Sequence, residues 1–396
     1  MSSFHKFAGH LPSSKRAVAQ TRNELEDLRR EIHEIKDVLF ARIEQADNGI
    51  NMNLNYKVHE VLLPRFDRID ADLDAHDSHM KMFAWENYRR DDETLQQAKE
   101  RFFHSLPKAT GAKRLIQNGS ARLMEEFDQL CRRYDLKYWL DFGSLLGAVR
   151  HGGFIPWDDD TDLGMMRDDV DRLISIVNDK DSEESRRYRV SIVLDPYVFC
   201  RQIRFMSADT TNPCFVDIFL YDYVNTTSVS LYDERQKVRD RLIENLRTDN
   251  YERWLDHGYL QSTEPEAGEF AEIFAQSQRE MENLGLVVSK SEAAGVMYGI
   301  DNIDNRAIRL YDINDMFPNG SLSFEGHDYL VPAKPMTVLN RNYGDIYALP
   351  KDINSHFVHV DPTLVEQSDV RDSIAKSVST ESADADNSFG DNASND

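Results

Sequence analysis

Residues 142–164 read FGSLLGAVRHGGFIPWDDDTDLG, and the fold turns on this stretch. Gly143 and Ser144 open a turn into a short helix, Arg150 and His151 close it, and a Gly-Gly pair leads into an acidic run. Asp158, Asp160 and Asp162 alternate with other residues, as on a strand that sends alternate side chains to one face. Converging carboxylates repel unless a cation lies between them, and the ions that prefer oxygen are Mg²⁺, Mn²⁺ and Ca²⁺. Phe154, Ile155 and Trp157 precede the run, and Leu163, Met165 and Met166 follow it. Such framing argues for a buried strand, where a carboxylate has to be paired or metal-bound, against a solvated acidic loop. A calcium loop is excluded. Leu163 stands where its sharp turn needs glycine, Asp169 where it needs glutamate, and the flanks read as strands.

Working outward, KYWLD before the turn reads as a strand, and DDVDRLISIVND after the acidic run reads as a helix. YRVSIVL and VFCRQIRFMS read as further strands, and PCFVDIFLYDYV (213–224) is the most strand-like run of all. Asp217 inside that last run is costly to bury. It pairs with an arginine such as Arg204 across the sheet, or it joins the acidic strand as a third carboxylate. Asp222, near the strand end, is the weaker candidate. A Gly-Ser turn at a helix N-terminus offers backbone N–H groups to a phosphate. Arg150 either clamps a diphosphate or pairs with the acidic strand, and His151 supports the turn.

The formal charge of −23 argues against duplex nucleic acid or an anionic bilayer as the main partner, since both demand a positive field. A small anionic substrate is compatible if basic groups concentrate locally, and Arg150, His151, Arg201 and Arg204 are the candidates. The three cysteines, Cys131, Cys200 and Cys214, match no zinc spacing, so a reduced, cytosolic chain is expected. The first residues carry no apolar leader core, and no apolar run approaches the roughly 20 residues that cross a bilayer. Work at the inner face of a membrane would require recruitment.

Leu25, Leu28, Ile32, Ile35 and Leu39, continued by Ile43, form a heptad stripe, which suits a dimeric coiled coil or packing within the chain; the reading leans to self-association. Residues 46–54 interrupt the pattern, Val58, Val61, Leu62 and Phe66 resume it, and Pro64 predicts a break. A helical stretch is expected over 79–104, and another from Leu115 to Arg133. Residues 230–292 read as mostly helical, and 320–360 as short strands and turns. From Pro362 onward large apolar groups are scarce, which predicts disorder. The expected organisation is a helical region 1–108, a catalytic domain 109–360 and an acidic tail 361–396.

Gly-Ser, then Asp-x-Asp, then a lone Asp on a later strand resembles the nucleotidyltransferase layout. YWLDFGSLLGAVRHGGFIPWDDDTDL is more specific and resembles the LicD family, which includes fukutin and fukutin-related protein. VDIFLYD (216–222) resembles the family's second block, and LVPAKPMTVLNRNYGDIYALP (330–350) its distal block, matched at Tyr343, Gly344, Asp345 and Pro350. His356 follows where the family often has a histidine. The resemblance spans roughly residues 113–360. It implies an α+β fold, with a nucleotidyltransferase-like mixed β-sheet flanked by helices. It also implies transfer of a phospho-substituent (phosphocholine, ribitol phosphate or another) from a CDP-linked donor to a glycan or glycolipid hydroxyl, releasing CMP. Bacterial members of the family so modify lipopolysaccharide or teichoic acid. In that scheme Asp160, Asp162 and Asp217 bind Mg²⁺ (or Mn²⁺), with Asp158 as an outer ligand. Gly143, Ser144 and Arg150 hold the donor phosphates. Nucleotidyl transfer from an NTP and a non-catalytic coiled-coil scaffold are the alternatives.

Overall fold

The computed structural model describes residues 13–44, 57–247, 251–257, 260–261, 263–265, 267–304, 306–348 and 358–379. It divides into two compact units, Met1–Phe102 and Phe103–Asp396.

In the first unit, helix α1 (Ser13–Glu44) runs antiparallel to α2 (Leu63–Tyr88), which a π-helical turn, Lys57–Leu62, precedes. Arg29 pairs with Asp74, His33 with Asp70 and Lys36 with Asp67. Within the described stripe, Ile32 turns toward this hairpin and is half-buried, while Leu28, Ile35 and Leu39 stay exposed. Pro64 sits in the first turn of α2, where its missing N–H costs nothing; the expected break is a change of helix type. Residues 46–54 lie outside the described residues. Helix α3 (Leu95–His104) sets Phe102 edge-on to Trp85 and Tyr88.

The second unit is built on an eight-stranded mixed sheet. Helix α4 (Gly111–Tyr134) precedes β1 (Tyr138–Leu140), followed by α5 (Phe142–His151), β2 (Asp162–Met166) and α6 (Arg167–Asn178). Strands β3 (Tyr188–Asp195), β4 (Cys200–Ser207) and β5 (Phe215–Val224) come next. Beyond them lie α7 (Val229–Arg247), β6 (Leu260–Gln261), α8 (Ala267–Asn283), β7 (Gly295–Tyr298) and β8 (Leu310–Asp312). The sheet runs β1-β2-β5-β4-β3-β6, with β7 joining β5 to β8. β5 is the hub: parallel to β2 and antiparallel to β4 and β7. Its alternation sends Asp217, Phe219 and Tyr221 to one face and Ile218, Leu220 and Asp222 to the other. The latter face carries an apolar layer in which Leu231, Leu242, Trp254, Phe270 and Phe274 pack with Val224.

A hairpin of β9 (Gly320–Phe324) and β10 (His327–Val331) leads to α9 (Pro335–Tyr343). The α9 helix falls where only short strands and turns are expected. The tail also begins later than expected. Residues 362–366 form a 3₁₀ turn, and α10 (Ser368–Ser379) packs on α4. Val365, Val370 and Ile374 join Ile116 and Phe215 in a second core cluster. A few apolar groups at helical spacing suffice because α4 supplies the other half of the contact; residues 380–396 lie outside the described residues. Among the described residues, no helix is long and apolar enough to cross a membrane.

Candidate active site

The acidic run does not reach its geometry as a strand. β2 begins only at Asp162, and Asp158 and Asp160 lie in the irregular segment before it. A turn closed by the Asp158 N–H on the Ile155 carbonyl (3.0 Å) shapes that segment. Gln117 of α4, fully buried, donates to the Asp158 carbonyl at 2.8 Å. Asp162 and Asp217 are register partners on parallel β2 and β5, so their side chains share a face. Carboxylate oxygens of Asp160, Asp162 and Asp217 lie within 4.8 Å of one another.

Burial and the neighbouring Asp162, Asp158 and Asp217 push the Asp160 carboxyl well above the ordinary carboxylate range. Burial, with Asp158 and Asp217, does the same to Asp162. Burial also raises Asp217, against the pull of Arg204. Three crowded, desolvated carboxylates disfavour their own charge. The donor set is all hard oxygen, which fits Mg²⁺ or Mn²⁺ and no thiolate-seeking metal. Arg204, opposite Asp217 on β4, donates from Nε to Asp217 Oδ1 at 2.8 Å. Both readings of Asp217 therefore hold at once: it is paired, and it faces the other two carboxylates.

Gly143 and Ser144 serve the carboxylates. The Gly143 N–H donates to Asp162 Oδ2 (2.9 Å), and the buried Ser144 Oγ accepts from the Asp162 N–H (2.8 Å). A Cβ on Gly143 would lie 2.8 Å from Asp158 Oδ2 and 3.2 Å from Asp162 Oδ2, so any side chain there would displace these carboxylates. Phe142 before it holds φ at 35°, a strained value for an aromatic residue, and packs on Phe219 and Tyr298. Asp141 caps the helix through the Phe142 N–H and accepts from the Tyr221 hydroxyl at 2.6 Å. Burial raises its carboxyl to about 6.

The basic groups expected to cradle the donor have other partners. Arg150 is buried; it donates to the Ile346 carbonyl at 2.8 Å and stacks on Phe103. Among the described residues it makes no ion pair with the acidic run, and its carbon stem and guanidinium tie α5 to the distal block. His151 lies against the Phe103 carbonyl and is driven down to about 3 by burial and by Arg150, so it stays neutral. Arg201 pairs with Asp301 at 3.2 Å. Asp222 lies on the opposite face from Asp217 and is held by Arg167 at 2.6 and 2.9 Å, which removes it from the site.

Two residues at the site escape a reading of spacing. The His359 ring bridges Asp159 (3.1 Å) and Asp160 (3.2 Å). Burial works against the Asp159 charge, but bonds from His359 and the Val360 N–H hold its carboxyl below the ordinary value. Asp159 thus anchors the C-terminal segment onto the acidic run. Asp158, Asp159, Asp160 and His359 also bring one ligand atom each within 4.8 Å of one another. A histidine in HFVHV is visible in the sequence, but His356 and Pro350 lie outside the described residues, and nothing in the spacing singles out His359.

A mixed sheet aligns Asp-x-Asp with a third aspartate on the neighbouring strand, behind a Gly-Ser helix start, an arrangement similar to that of nucleotidyltransferases. Residues 135–255 match the family model described as LicD/FKTN/FKRP, nucleotidyltransferase domain. Lipopolysaccharide cholinephosphotransferase LicD of Haemophilus influenzae is 35% identical over 124 residues, which are 30% of this chain and 47% of that protein. Ribitol 5-phosphate transferase FKRP of Homo sapiens is 63% identical over 35 residues, 9% of this chain and 7% of FKRP. The uncharacterized protein RP689 of Rickettsia prowazekii is 46% identical over 56 residues, 14% of this chain and 21% of its own length. The chain thus spans less than half the length of these relatives.

Proposed function

We propose that this chain transfers a substituted phosphate, such as phosphocholine or a phospho-alditol, from a CDP-linked donor to a hydroxyl of a cell-surface glycan, releasing CMP. The observation that carries this reading is the convergence of Asp160, Asp162 and Asp217 on one point of the sheet. It is supported by relatives named for phosphocholine and ribitol 5-phosphate transfer.

Asp160, Asp162 and Asp217 would hold a divalent ion, with Asp158 beside them. Bound there, Mg²⁺ or Mn²⁺ would supply neutralising charge for the leaving CMP and acidify the attacking hydroxyl. Arg204 fixes the rotamer of Asp217, and the Gly143 N–H and Ser144 fix Asp162. Asp217 receives the acceptor's proton as its oxygen bonds to phosphorus and the bond from phosphorus to CMP breaks in line. Because preorganised electrostatics supply most of the rate in such sites, Asp160→Ala and Asp162→Ala should each abolish CMP release.

The test is incubation of the full chain with a panel of CDP-alcohols and Mg²⁺, detecting CMP, alongside the two variants. Retained turnover in both variants overturns the assignment. Diphosphate release from CTP or ATP without CMP release from the panel would replace it with nucleotidyl transfer. The described residues place no helix through a membrane, and work at the cytoplasmic membrane face, through an acceptor held there, belongs to this proposal.

A further inference from the structure

We infer that Arg309 is the cation that receives the phosphate group of the donor. Arg309 lies just before β8, and its carbonyl accepts from the Tyr298 N–H at 3.0 Å. Its guanidinium carbon sits 4.9 Å from the Tyr298 ring centre and 5.2 Å from that of Phe142. Phe142 is the strained residue next to Gly143, whose N–H holds Asp162. The two rings thus present the guanidinium beside the start of α5, one residue away from the carboxylate brace.

Arg309 Nε and Nη1 are sealed from solvent and have no hydrogen-bond partner among the described residues. Leaving a buried charged donor unpaired costs about 1–3 kcal/mol or more, and a planar, permanently charged guanidinium matches phosphate oxygens. Arg150, Arg201 and Arg204 each have a carbonyl or carboxylate partner, whereas among the described residues Arg309 Nε and Nη1 have none. The hydroxyl of Tyr343, in the distal block, is pushed well above the ordinary value by lost hydration and by Asp162, Asp141 and Asp158, while Arg309 pulls the other way, so guanidinium and carboxylates act on one group.

The identity of the ligand as a cytidine diphosphate ester rests on the function proposed above; the assignment of Arg309 to an anionic phosphate does not. The experiment is calorimetric titration of the full chain, with Mg²⁺, using cytidine, CMP, CDP, ATP and inorganic pyrophosphate. Wild type, Arg309→Met and Arg309→Lys are compared, with thermal unfolding of each. Arg309→Met should weaken CDP binding about 10- to 100-fold, as loss of one charge-assisted contact predicts. It should leave cytidine binding and the unfolding midpoint unchanged, and Arg309→Lys should restore part of the loss. CDP binding unchanged in Arg309→Met overturns the inference. Parallel loss of cytidine and CDP, or a lowered midpoint that Arg309→Lys repairs without restoring CDP binding, assigns Arg309 a packing role and overturns it too. If wild type ignores cytidine nucleotides but binds ATP or pyrophosphate through Arg309, the CDP-donor reading falls and the inference stands. If it binds no phosphate ligand at all, both fall.

Discussion

At the scale of single residues the site is a problem of crowding. Gly143 is the tightest point, because its missing side chain is the room that Asp158 and Asp162 occupy. Gly143→Ala should push those carboxylates apart and cut turnover at least about 100-fold, since small displacements at reacting groups cost that much. It should cost little stability, because φ is positive at Phe142 and not at Gly143. Steady-state CMP release beside thermal unfolding checks this, and a variant with normal turnover would show that the brace is dispensable. That three carboxylates would converge was legible in the chain because their types and spacing invite it. The arginines were not, because an arginine's partner is chosen by the tertiary fold. Arg150 reads as a phosphate clamp and is also a buried tie to Ile346, whereas Arg309 stands in no motif and, among the described residues, has two N–H groups without a partner.

At the scale of elements, period and turn chemistry mark β1 to β5 and the helices between them, and these strands lie where the sequence reading puts them. The acidic run is the exception: it reads as a strand, but curls before Asp162 because α4 takes the Asp158 carbonyl through Gln117. α9 and α10 were missed because each is short and depends on a partner surface far along the chain. The β9–β10 turn shows how such pieces are held. Glu325 accepts from Arg114 of α4 (2.7 Å), from Lys108 (2.8 Å) and from the Phe154 N–H (3.2 Å). Burial alone would raise its carboxyl, but Arg114 and Lys108 hold it at about 2. A depressed carboxylate stabilises the fold fully above its unfolded value and loses that contribution as pH falls through the folded one. Glu325→Gln should therefore cost about 2 kcal/mol at pH 7, and its gap from wild type should close as pH falls from about 4.5 toward 2. Denaturant unfolding at a series of pH values measures this, and a gap independent of pH would mean the contact is not ionic.

At the scale of the whole molecule, the formal charge is −23, and among the described residues basic groups such as Arg167, Arg201 and Arg204 are set one by one against carboxylates. The first unit leaves Leu28, Ile35 and Val38 about half exposed along α1, and apolar stripes of this kind mark association surfaces. The full chain should scatter light as a dimer and the chain from Phe103 as a monomer. A monomeric full chain would leave the stripe without a second copy. Much of this level was hidden from the sequence, since a heptad stripe looks the same whether its partner is α2 or another molecule.

The bond from Asp159 to His359 reaches 200 residues along the chain, and it bears on what can be transplanted. The stretch shared with the LicD family ends at residue 255, so a graft of that stretch into another protein would carry the four aspartates and leave behind Arg309, Tyr343 and His359. Recombination at the edges of the matched stretch would then separate the clustered carboxylates from the side chains that later elements bring to them. What is inherited together as a folded arrangement is the whole span from α4 to Val360, not the part most easily recognised.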